Sequence, residues 1–359
     1  MIVHSGKSSS TIHLREIVHI NLARGWRGGE KQTYLLIKSL SEAGYSQVLI
    51  TSRGSPLSDR TGNLRNIRII TPVGAFISKF TAPSIIHAHE ARAVYIAYFL
   101  NRLYDLPYII TRRMDRPPKN RYLTKRAYSR ASRLVAISNA TKKQLNNFLP
   151  NKKVSIIPSA HSNTLVDIDK SQKLKEHLLG NNDYLIGHAG ALVDSDKGQT
   201  ILIEAATRLE EEGFRISLIF MGQGKDYDLL RRKAGNLKSV FFPGQISKIT
   251  NYLAALDIFV FPSRNEGLGS VLIDVMRCNV PIIASDTGGI PDLITDGING
   301  ILVPVGRPEQ LAEEIKNLLD SKEKREAIAN NAYKTAKNFS PKVMAEKYIN
   351  IYTEISQVK

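Results

Sequence analysis

Cysteine is almost absent from this sequence, since Cys278 is the only one in 359 residues. A single thiol cannot form a disulfide within the chain, and it excludes zinc ribbons and paired-cysteine redox centres. Long apolar runs are absent as well: no segment reaches the roughly 18–20 residues that span a bilayer. Residues 1–14 lack the apolar core of a signal peptide. These absences lead us to expect a globular protein of the cytoplasm.

Acidic residues are scarce in the first half of the chain. Residues 1–165 contain 26 Lys and Arg but only 7 Asp and Glu, a net charge of +19. Residues 166–359 contain 24 Lys and Arg against 26 Asp and Glu, so the whole-chain charge of +17 comes from the first half. Such asymmetry favours an anionic partner, which would be a membrane surface, a nucleic acid or a phosphorylated acceptor. A basic surface that serves only solubility is the alternative.

Short apolar segments alternate with helix-length amphipathic segments and predict an α/β protein. Seven predicted strands lie before residue 160 and six after residue 183. Continuous apolar strands that alternate with helices indicate parallel sheets covered on both faces. A polar break at residues 162–183 is the predicted interdomain link. We therefore predict two Rossmann-like domains, over residues 1–165 and 166–338, and a terminal helix within residues 339–359.

The segment "SRNEGLGSVLID", residues 263–274, predicts a ligand-binding loop. It follows the apolar strand "IFVFP", and open α/β sheets bind ligands at the carboxyl ends of their strands. Its glycines let backbone N–H groups approach a ligand, and a helix beginning near Ser270 adds its positive N-terminus. Glu266 suits sugar hydroxyls better than a phosphate, and Asp274 suits a ribose. Taken alone, two carboxylates eight residues apart are more often a solvated loop acid and a helix N-terminal acid than a ligand site.

The longer segment "EGLGSVLIDVMRCNVPIIASDTGGIPDLITDGINGILVP" resembles the donor-site signature of retaining GT-B glycosyltransferases of family four, the glycosyl transferases group 1. "GHAGALVDSDKGQTILIEAATRL" and "RGGEKQTYLLIKSL" are similar to further parts of that family. The resemblance extends from about residue 17 to residue 355. It implies a GT-B fold, in which the parallel sheets of two Rossmann-like domains face each other across a cleft. It also implies that the terminal helix returns to the first, acceptor-binding domain.

The resemblance implies a role for individual residues of the donor-binding domain and the cleft. Glu266 would hold the donor sugar and Lys197 would neutralise the diphosphate leaving group. Arg113 falls near the position where many relatives have a histidine beside the reacting sugar, and Asp274 would hold the ribose. The other implied donor-binding residues belong to two glycine loops: Gly28, Gly29, Gly267, Leu268 and Gly269.

No enzymic nucleophile is generally accepted in this family, and the leaving phosphate is thought to assist a same-face substitution. The protein would therefore contribute positioning and electrostatics. On the acceptor side, His89 and Arg112 are the candidates to line the cleft, and a structural role is an equal alternative for His89.

The sequence departs from the family pattern at three places. The second acid of the motif is usually glutamate, whereas Asp274 is one methylene shorter. The customary Gly-Arg-Leu reads Gly-Ala-Leu with Ala191 in the middle, so one arginine that binds the diphosphate is missing, and Arg264 or Arg112 are candidate substitutes. The customary Pro-Asn-Gly turn reads "PSAH" at residues 158–161.

We expect no metal and no other cofactor, although three Asp-x-Asp triplets occur at residues 167–169, 194–196 and 226–228. With 33 acidic residues such triplets arise by chance. His87 and His89 lack the spacing of a zincin motif. Two other functions stay open at this point: a sugar-nucleotide epimerase of the same fold, and a nucleic-acid-binding protein that uses the basic half. The second has no helix-turn-helix, zinc-finger or RRM signature to support it, and we expect no nucleic-acid partner.

The basic charge is densest in "RRMDRPPKNRYLTKRAYSRASR", residues 112–133, where Asp115 is the only acid among nine Lys and Arg. A helix with several basic residues on one side is attracted to anionic lipid headgroups. The membrane-binding candidates are Lys119, Arg121, Lys125 and Arg126. We expect a peripheral enzyme at the inner face of the membrane. It would move a hexose from a nucleotide-sugar to a lipid-linked or phosphorylated glycan such as a lipopolysaccharide core. A UDP-sugar is the leading donor because most relatives use it, and GDP- or ADP-activated sugars stay open.

Overall fold

The computed structural model describes residues 16–357 apart from residues 79 and 81–83. The N-terminal stretch in which no signal peptide is expected lies outside these residues. The first sheet is formed by β1 (Glu16–Ile20), β2 (Gln47–Ile50), β3 (Ile67–Ile70), β4 (Ser84–Ala88), β5 (Tyr108–Arg112), β6 (Arg133–Ala136) and β7 (Val154–Ile156). The second sheet is formed by β8 (Tyr184–Ala189), β9 (Ile216–Met221), β10 (Val240–Gly244), β11 (Ile258–Phe261), β12 (Ile282–Ser285) and β13 (Ile301–Val303).

Helices connect the strands and cover both sheets. They are α1 (Gly28–Glu42), α2 (Pro56–Thr61), α3 (Pro72–Ile77), α4 (Ala93–Tyr104), α5 (Tyr122–Arg130), α6 (Asn139–Phe148), α7 (Ile168–Leu179), α8 (Asp194–Lys197), α9 (Gln199–Glu211), α10 (Tyr227–Lys233), α11 (Ile249–Ala254), α12 (Ser270–Arg277), α13 (Pro308–Asp320), α14 (Lys322–Ala336) and α15 (Pro341–Gln357). Three single turns of 3₁₀ helix lie at Ala234–Asn236, Ile290–Asp292 and Lys337–Phe339.

Both sheets are entirely parallel, and their strand orders are those of doubly wound α/β domains. The first sheet has the order β3-β2-β1-β4-β5-β6-β7 and the second has the order β10-β9-β8-β11-β12-β13. Every residue of β9 is buried, as expected for a strand covered on both faces. Each predicted strand is present, and the prediction of two Rossmann-like domains is confirmed. The strand order reverses between β1 and β4 and between β8 and β11, so ligand sites are expected at the carboxyl ends of these strands.

Helix α15 packs against α1 and β4 of the first sheet. Its apolar stripe is buried in one core cluster with residues of β1, β4 and β5. The hydroxyl group of Tyr352 lies 2.7 Å from His87 Nδ1, and the hydroxyl group of Tyr348 lies 2.9 Å from Thr111 Oγ1. The last helix of the described chain therefore supplies both apolar and hydrogen-bonding groups to the core of the first sheet.

The region predicted as an interdomain link contains a helix. Residues 162–167 belong to no helix or strand, but α7 follows and packs against α11 and β8 of the second domain. Its sequence looks polar because only Ser171 and Leu178 are buried in it. The irregular stretch before α7 is therefore shorter than the predicted link, because α7 already packs on the second domain. No helix of the described part of the chain has the length and apolarity needed to cross a membrane.

Candidate active site

Lys197 and Glu266 meet at the carboxyl ends of β8 and β11. Their side chains form an ion pair between Lys197 Nζ and Glu266 Oε2, with 20% and 16% of each side chain exposed. Gly198, directly after Lys197, has a φ of +63°, and a Cβ there would lie 2.2 Å from the carbonyl oxygen of Pro262. Only glycine therefore allows the loop after β8 to press against the end of β11. This contact brings the lysine to the glutamate.

The backbone around Glu266 is held by a second glycine turn. A Cβ at Gly288, where φ is +56°, would lie 1.9 Å from the carbonyl oxygen of Glu266. The same oxygen accepts a hydrogen bond of 3.1 Å from the N–H of Gly289. Leu268 anchors the loop from the other side because its side chain is buried in the core of the second domain. The loop that carries Glu266 is therefore fixed by packing before any substrate binds.

The N-termini of α1 and α12 face each other across the cleft. A Cβ at Gly28, the first residue of α1, would lie 3.8 Å from Oγ of Ser270, the first residue of α12. Each helix N-terminus carries about half a positive charge and unpaired N–H groups. Two positive ends at this distance favour an anion between them. Gly29 and Gly269, also predicted from the sequence, adjoin these two ends.

Asp274 is buried and has its partners in the structure. Its Oδ1 accepts hydrogen bonds from the N–H and the hydroxyl group of Ser162, the latter at 2.8 Å. Its Oδ2 lies 3.1 Å from Nζ of Lys31, which belongs to α1 in the first domain. The second acid of the motif therefore joins the two domains in this structure, and its role toward a ribose stays a prediction. The sequence signal for Lys31 is its position just after the glycines of "RGGEK".

Arg113 lies just after β5, where it touches both the donor loop and α1. A Cβ at Gly267 would lie 2.7 Å from the carbonyl oxygen of Arg113, and one at Gly29 would lie 3.9 Å from its Cδ. Nη1 donates a hydrogen bond of 3.4 Å to the hydroxyl group of Ser159. Burial lowers the pKa of the Arg113 guanidinium group.

Arg112, by contrast, donates from Nε and Nη2 to the carbonyl oxygen of Arg116, four residues along the chain.

His89 belongs to a buried cluster with His19 and His87 at the carboxyl ends of β1 and β4. His19 Nδ1 lies 2.9 Å from His89 Nε2, and the rings of His87 and His89 are tilted against each other with centroids 3.7 Å apart. Burial lowers the pKa of His19 to about 3 and lowers the pKa values of His87 and His89 well below the usual range. The charge of Arg113 adds to the lowering at His87 and His89.

The nitrogen atoms of these three histidines lie within 4.8 Å of one another, a spacing that would suit a metal ion. Hydrogen bonds already use most of those atoms. His87 contacts Tyr352 through Nδ1 and Thr111 through Nε2, both at 2.7 Å, and His19 and His89 contact each other. The nearby positive charge of Arg113 also opposes a cation. The cluster is therefore built as a hydrogen-bonded core.

His188 lies in β8, directly before the loop that carries Lys197, and links this strand to β11. It is fully buried, its Nδ1 donates a hydrogen bond of 3.1 Å to the carbonyl oxygen of Val260, and burial lowers its pKa to about 4. A Cβ at Gly190 would lie 3.5 Å from its Nε2. The histidine is thus neutral and holds the ends of β8 and β11 together beneath the ion pair.

Two further cross-domain contacts were not predicted from the sequence. Arg116 of the first domain donates to Asp196 of α8 at 3.1 Å, one residue before Lys197. The side chain of Asn139 donates to Asp292 at 3.0 Å. Partners so distant in the chain leave no local pattern, and the only hint for Arg116 is its place in the basic segment. These contacts show that the two domains are closed onto each other.

Among the described residues, neither candidate substitute for the missing arginine at Ala191 has a side-chain hydrogen bond or ion pair with Lys197 or Glu266. Arg264, one candidate, has its Nη1 3.6 Å from a Cβ placed on Gly306, on the side of the loop after β13. Arg112, the other candidate, binds the Arg116 carbonyl oxygen. Lys197 is therefore the cation that reaches Glu266 and the ends of β8 and β11.

The four membrane-binding candidates are exposed around the start of α5. Lys119 and Arg121 precede the helix, and Lys125 and Arg126 lie in it. Tyr122, with 78% of its surface exposed, accepts a hydrogen bond of 2.8 Å from Arg126. The neighbouring helices α3 and α4 also expose large apolar residues, namely Val73, Phe76, Ile77, Phe99 and Leu103. We call this combined surface of α3, α4 and the start of α5 the basic apolar face.

Comparison with known proteins agrees with this architecture. The family model "Glycosyl transferases group 1" matches residues 169–335, and the model "Glycosyltransferase Family 4" matches residues 26–160. An uncharacterised glycosyltransferase of Methanocaldococcus jannaschii is 28% identical over 297 residues, which are 79% of this chain and 79% of that protein.

Two solved structures share the fold. The Anabaena protein HepE, crystallised with UDP, superposes with a TM-score of 0.79 at 19% identity over 94% of this chain and 100% of its own. The apo form of the lipopolysaccharide outer core galactosyltransferase WaaB gives a TM-score of 0.72 at 15% identity over 95% of this chain and 99% of its own. Since the two family models each match one of the two domains, the chain belongs to the group 1 glycosyltransferases and has the GT-B fold.

Proposed function

We propose that this glycosyltransferase moves a hexose from a nucleotide-sugar, with UDP as the leading nucleotide, to an anionic glycan acceptor, with retention of configuration and without a metal. Two neighbouring contacts carry the proposal: the Lys197–Glu266 ion pair, and the facing N-termini of α1 and α12, the second of which begins four residues after Glu266. Three positive groups and one carboxylate match the needs of a sugar diphosphate, whose phosphates are anionic and whose sugar carries hydroxyl groups.

The two members of the Lys197–Glu266 pair bind different parts of the donor. Lys197 is the cation that stabilises the negative charge developing on the diphosphate as the bond to the sugar breaks. Glu266 accepts hydrogen bonds from sugar hydroxyl groups and orients the ring toward the acceptor. Because the loop of Glu266 is fixed by Gly288 and Leu268, this orientation requires little reorganisation.

The chemical step needs no enzymic nucleophile. The bond between the anomeric carbon and the diphosphate oxygen breaks, and the acceptor oxygen forms its bond to the same carbon on the same face. The acceptor proton passes to the departing phosphate oxygen, so charge and atoms balance within the two substrates. The chain contributes the positions of both substrates and the positive potential that stabilises the leaving group.

The basic apolar face supports an acceptor at a membrane. Exposed apolar side chains next to basic ones are the combination that binds an anionic lipid surface. A lipid-linked or phosphorylated glycan, such as a lipopolysaccharide core, is the acceptor that this surface would suit. In this proposal the enzyme binds the inner face of the membrane peripherally, with the basic apolar face of the first domain against the headgroups.

The nucleotide is tested by thermal unfolding in the presence of UDP, GDP and ADP. We expect UDP to raise Tm the most, because a ligand that binds only the folded state stabilises it by mass action. Lys197→Ala should remove most of the shift, whereas Lys238→Ala, on an exposed loop, should retain it. A wild-type protein that none of the three nucleotides stabilises would contradict the proposed donor site. Donor hydrolysis with several UDP-sugars then identifies the sugar.

A further inference from the structure

Two nitrogen atoms of the Arg113 guanidinium group have no hydrogen-bond acceptor among the described residues. Its Nε and Nη2 are buried and make no hydrogen bond within the described chain, while Nη1 has only the long contact with Ser159. Nε and Nη2 form the side of the guanidinium group that binds the two oxygens of a carboxylate or phosphate in parallel. The charge of the Glu30 carboxylate opposes the lowering of the Arg113 pKa, but its hydrogen bond of 2.8 Å comes from the N–H of Arg27 and not from the guanidinium group. Arg113 is thus a buried cation with no hydrogen-bonded counter-charge among the described residues.

A chain of hydrogen bonds gives His89 a free acceptor atom beside Arg113. The Gln47 amide donates from Nε2 to a backbone carbonyl oxygen of α1, so its Oε1 accepts from His19 Nε2 at 3.1 Å. His19 is neutral and therefore accepts at Nδ1 from His89 Nε2. His89 must then carry its proton on Nε2 and a lone pair on Nδ1. That Nδ1 is buried and has no hydrogen-bond partner among the described residues.

The two unsatisfied groups belong to the same edge of the first sheet. His89 follows β4 and Arg113 follows β5, and these two strands are neighbours. The backbone of Arg113 contacts Gly267 of the donor loop, so the pair lies where the two domains meet. Buried polar groups without partners carry a free-energy cost, and their presence at a closing cleft indicates a ligand that supplies the partners.

We propose that Arg113 and His89 form a subsite for an acidic sugar, in which Arg113 binds a carboxylate or phosphate and His89 accepts a hydrogen bond from a neighbouring hydroxyl group. This inference rests on the proposed function, because the sugar is taken to be part of the donor or of the acceptor in the cleft. Histidine at the position of Arg113 would offer one donor to a neutral hydroxyl group, whereas the arginine offers two parallel donors and a full charge. The site thus selects for a charged sugar.

Two binding arms distinguish the source of the acidic group. The first compares UDP-glucuronate with UDP-glucose by calorimetry and represents an acidic donor. The second compares glucuronate and glucose 6-phosphate with glucose in the presence of UDP and represents an acidic acceptor. In one of the arms the acidic ligand should bind about tenfold or more tightly than its neutral partner, as charge-assisted bidentate hydrogen bonds predict. Arg113→Gln should remove that preference, and Arg113→Lys should restore only part of it.

Arg102→Gln is the matched control, because it removes the same charge from the exposed surface of α4. It should leave the preference intact. Without ligand, Arg113→Gln should unfold at a Tm equal to or above that of the wild type, since it removes an unpaired buried charge, whereas a purely structural arginine would lower Tm on substitution.

Three results would overturn the subsite. The acidic ligands could bind no better than the neutral ones, the preference could survive Arg113→Gln, or Arg113→Gln could weaken UDP itself and all ligands equally. The last result would assign the arginine to the diphosphate. Failure of the proposed function is a separate outcome: UDP would then not bind the wild type, and the second arm, repeated without UDP, would still test the acidic subsite.

Discussion

At the scale of single residues, Glu266 is the side chain whose removal should separate catalysis from folding. It is partly exposed, and its main partner is Lys197 rather than the core. We therefore expect Glu266→Ala to lower kcat by about 100-fold or more while Tm stays near the wild-type value, because positioning is lost and packing is not. Glu212→Ala, which removes a surface carboxylate paired with Lys316, is the control. Wild-type turnover of Glu266→Ala would refute the assignment.

Asp274 gives a prediction about stability and motif choice. Asp274→Ala leaves Lys31 and the N–H of Ser162 without their buried partner, so Tm should fall. Asp274→Glu should be tolerated better than Asp274→Ala, because glutamate retains the carboxylate and is the usual family residue. The measurement is Tm together with UDP affinity for both variants. Equal losses in the two variants would contradict this expectation, because the carboxylate that glutamate retains would then give no rescue.

His188 predicts how stability depends on pH. In the unfolded chain this histidine takes up a proton near pH 6.5, whereas in the folded protein its pKa is about 4. Between these values the unfolded state binds more protons, so the free energy of unfolding falls as pH falls, by up to ~1.4 kcal/mol per pH unit for each such histidine. His188→Gln should flatten the slope between pH 6.5 and 4 relative to the wild type in urea unfolding. An unchanged slope would show that His188 is protonated when folded.

Motifs in the sequence predict which residues belong to the site, but they do not predict which residues those contact. Glu266 and Lys197 follow buried strands, and parallel strands bring such loops to one edge of a sheet. The contacts of Lys31 with Asp274 and of Arg116 with Asp196 depend on how two domains meet, which no local pattern encodes. The unpaired Nε and Nη2 of Arg113 are likewise unpredictable from the sequence, because a sequence does not show which buried donors lack acceptors.

At the scale of secondary-structure elements, the sequence predicts every strand, but it does not predict the helix α7. Each strand is a short run of apolar residues between turn residues, and burial on both faces makes that run continuous. The sequence predicts a link where α7 lies, because most faces of this helix carry polar residues and only Ser171 and Leu178 are buried.

The basic apolar face gives a prediction at this scale. Charge reversal of Lys119, Arg121, Lys125 and Arg126 to glutamate should abolish binding to vesicles that contain anionic lipid, since each basic residue near the surface contributes about 1 kcal/mol. Donor hydrolysis should persist, because none of the four contacts Glu266 or Lys197. The matched control reverses four exposed lysines of the second domain around α14: Lys322, Lys324, Lys334 and Lys337. A wild-type protein that does not bind anionic vesicles at moderate salt would contradict the proposed membrane binding.

At the scale of the whole molecule, the two domains are held closed by a few polar contacts. Lys31–Asp274 and Arg116–Asp196 both cross the cleft, and the second is exposed enough to be screened by salt. Replacing Lys31 and Arg116 together by alanine should increase the radius of gyration in X-ray scattering without ligand. Lys38→Ala, which loses a contact within α1 only, is the control. An unchanged radius would mean that other contacts close the cleft.

The return of α15 to the first sheet bears on how the chain is synthesised. All seven strands of that sheet leave the ribosome before α15 is translated, so the nascent first domain has an open face where Tyr348 and Tyr352 later pack. Until then His87 and Thr111 lack their tyrosine partners, and apolar residues of α1 face water or a chaperone. The domain that is made first is therefore finished last, after the second domain has been translated.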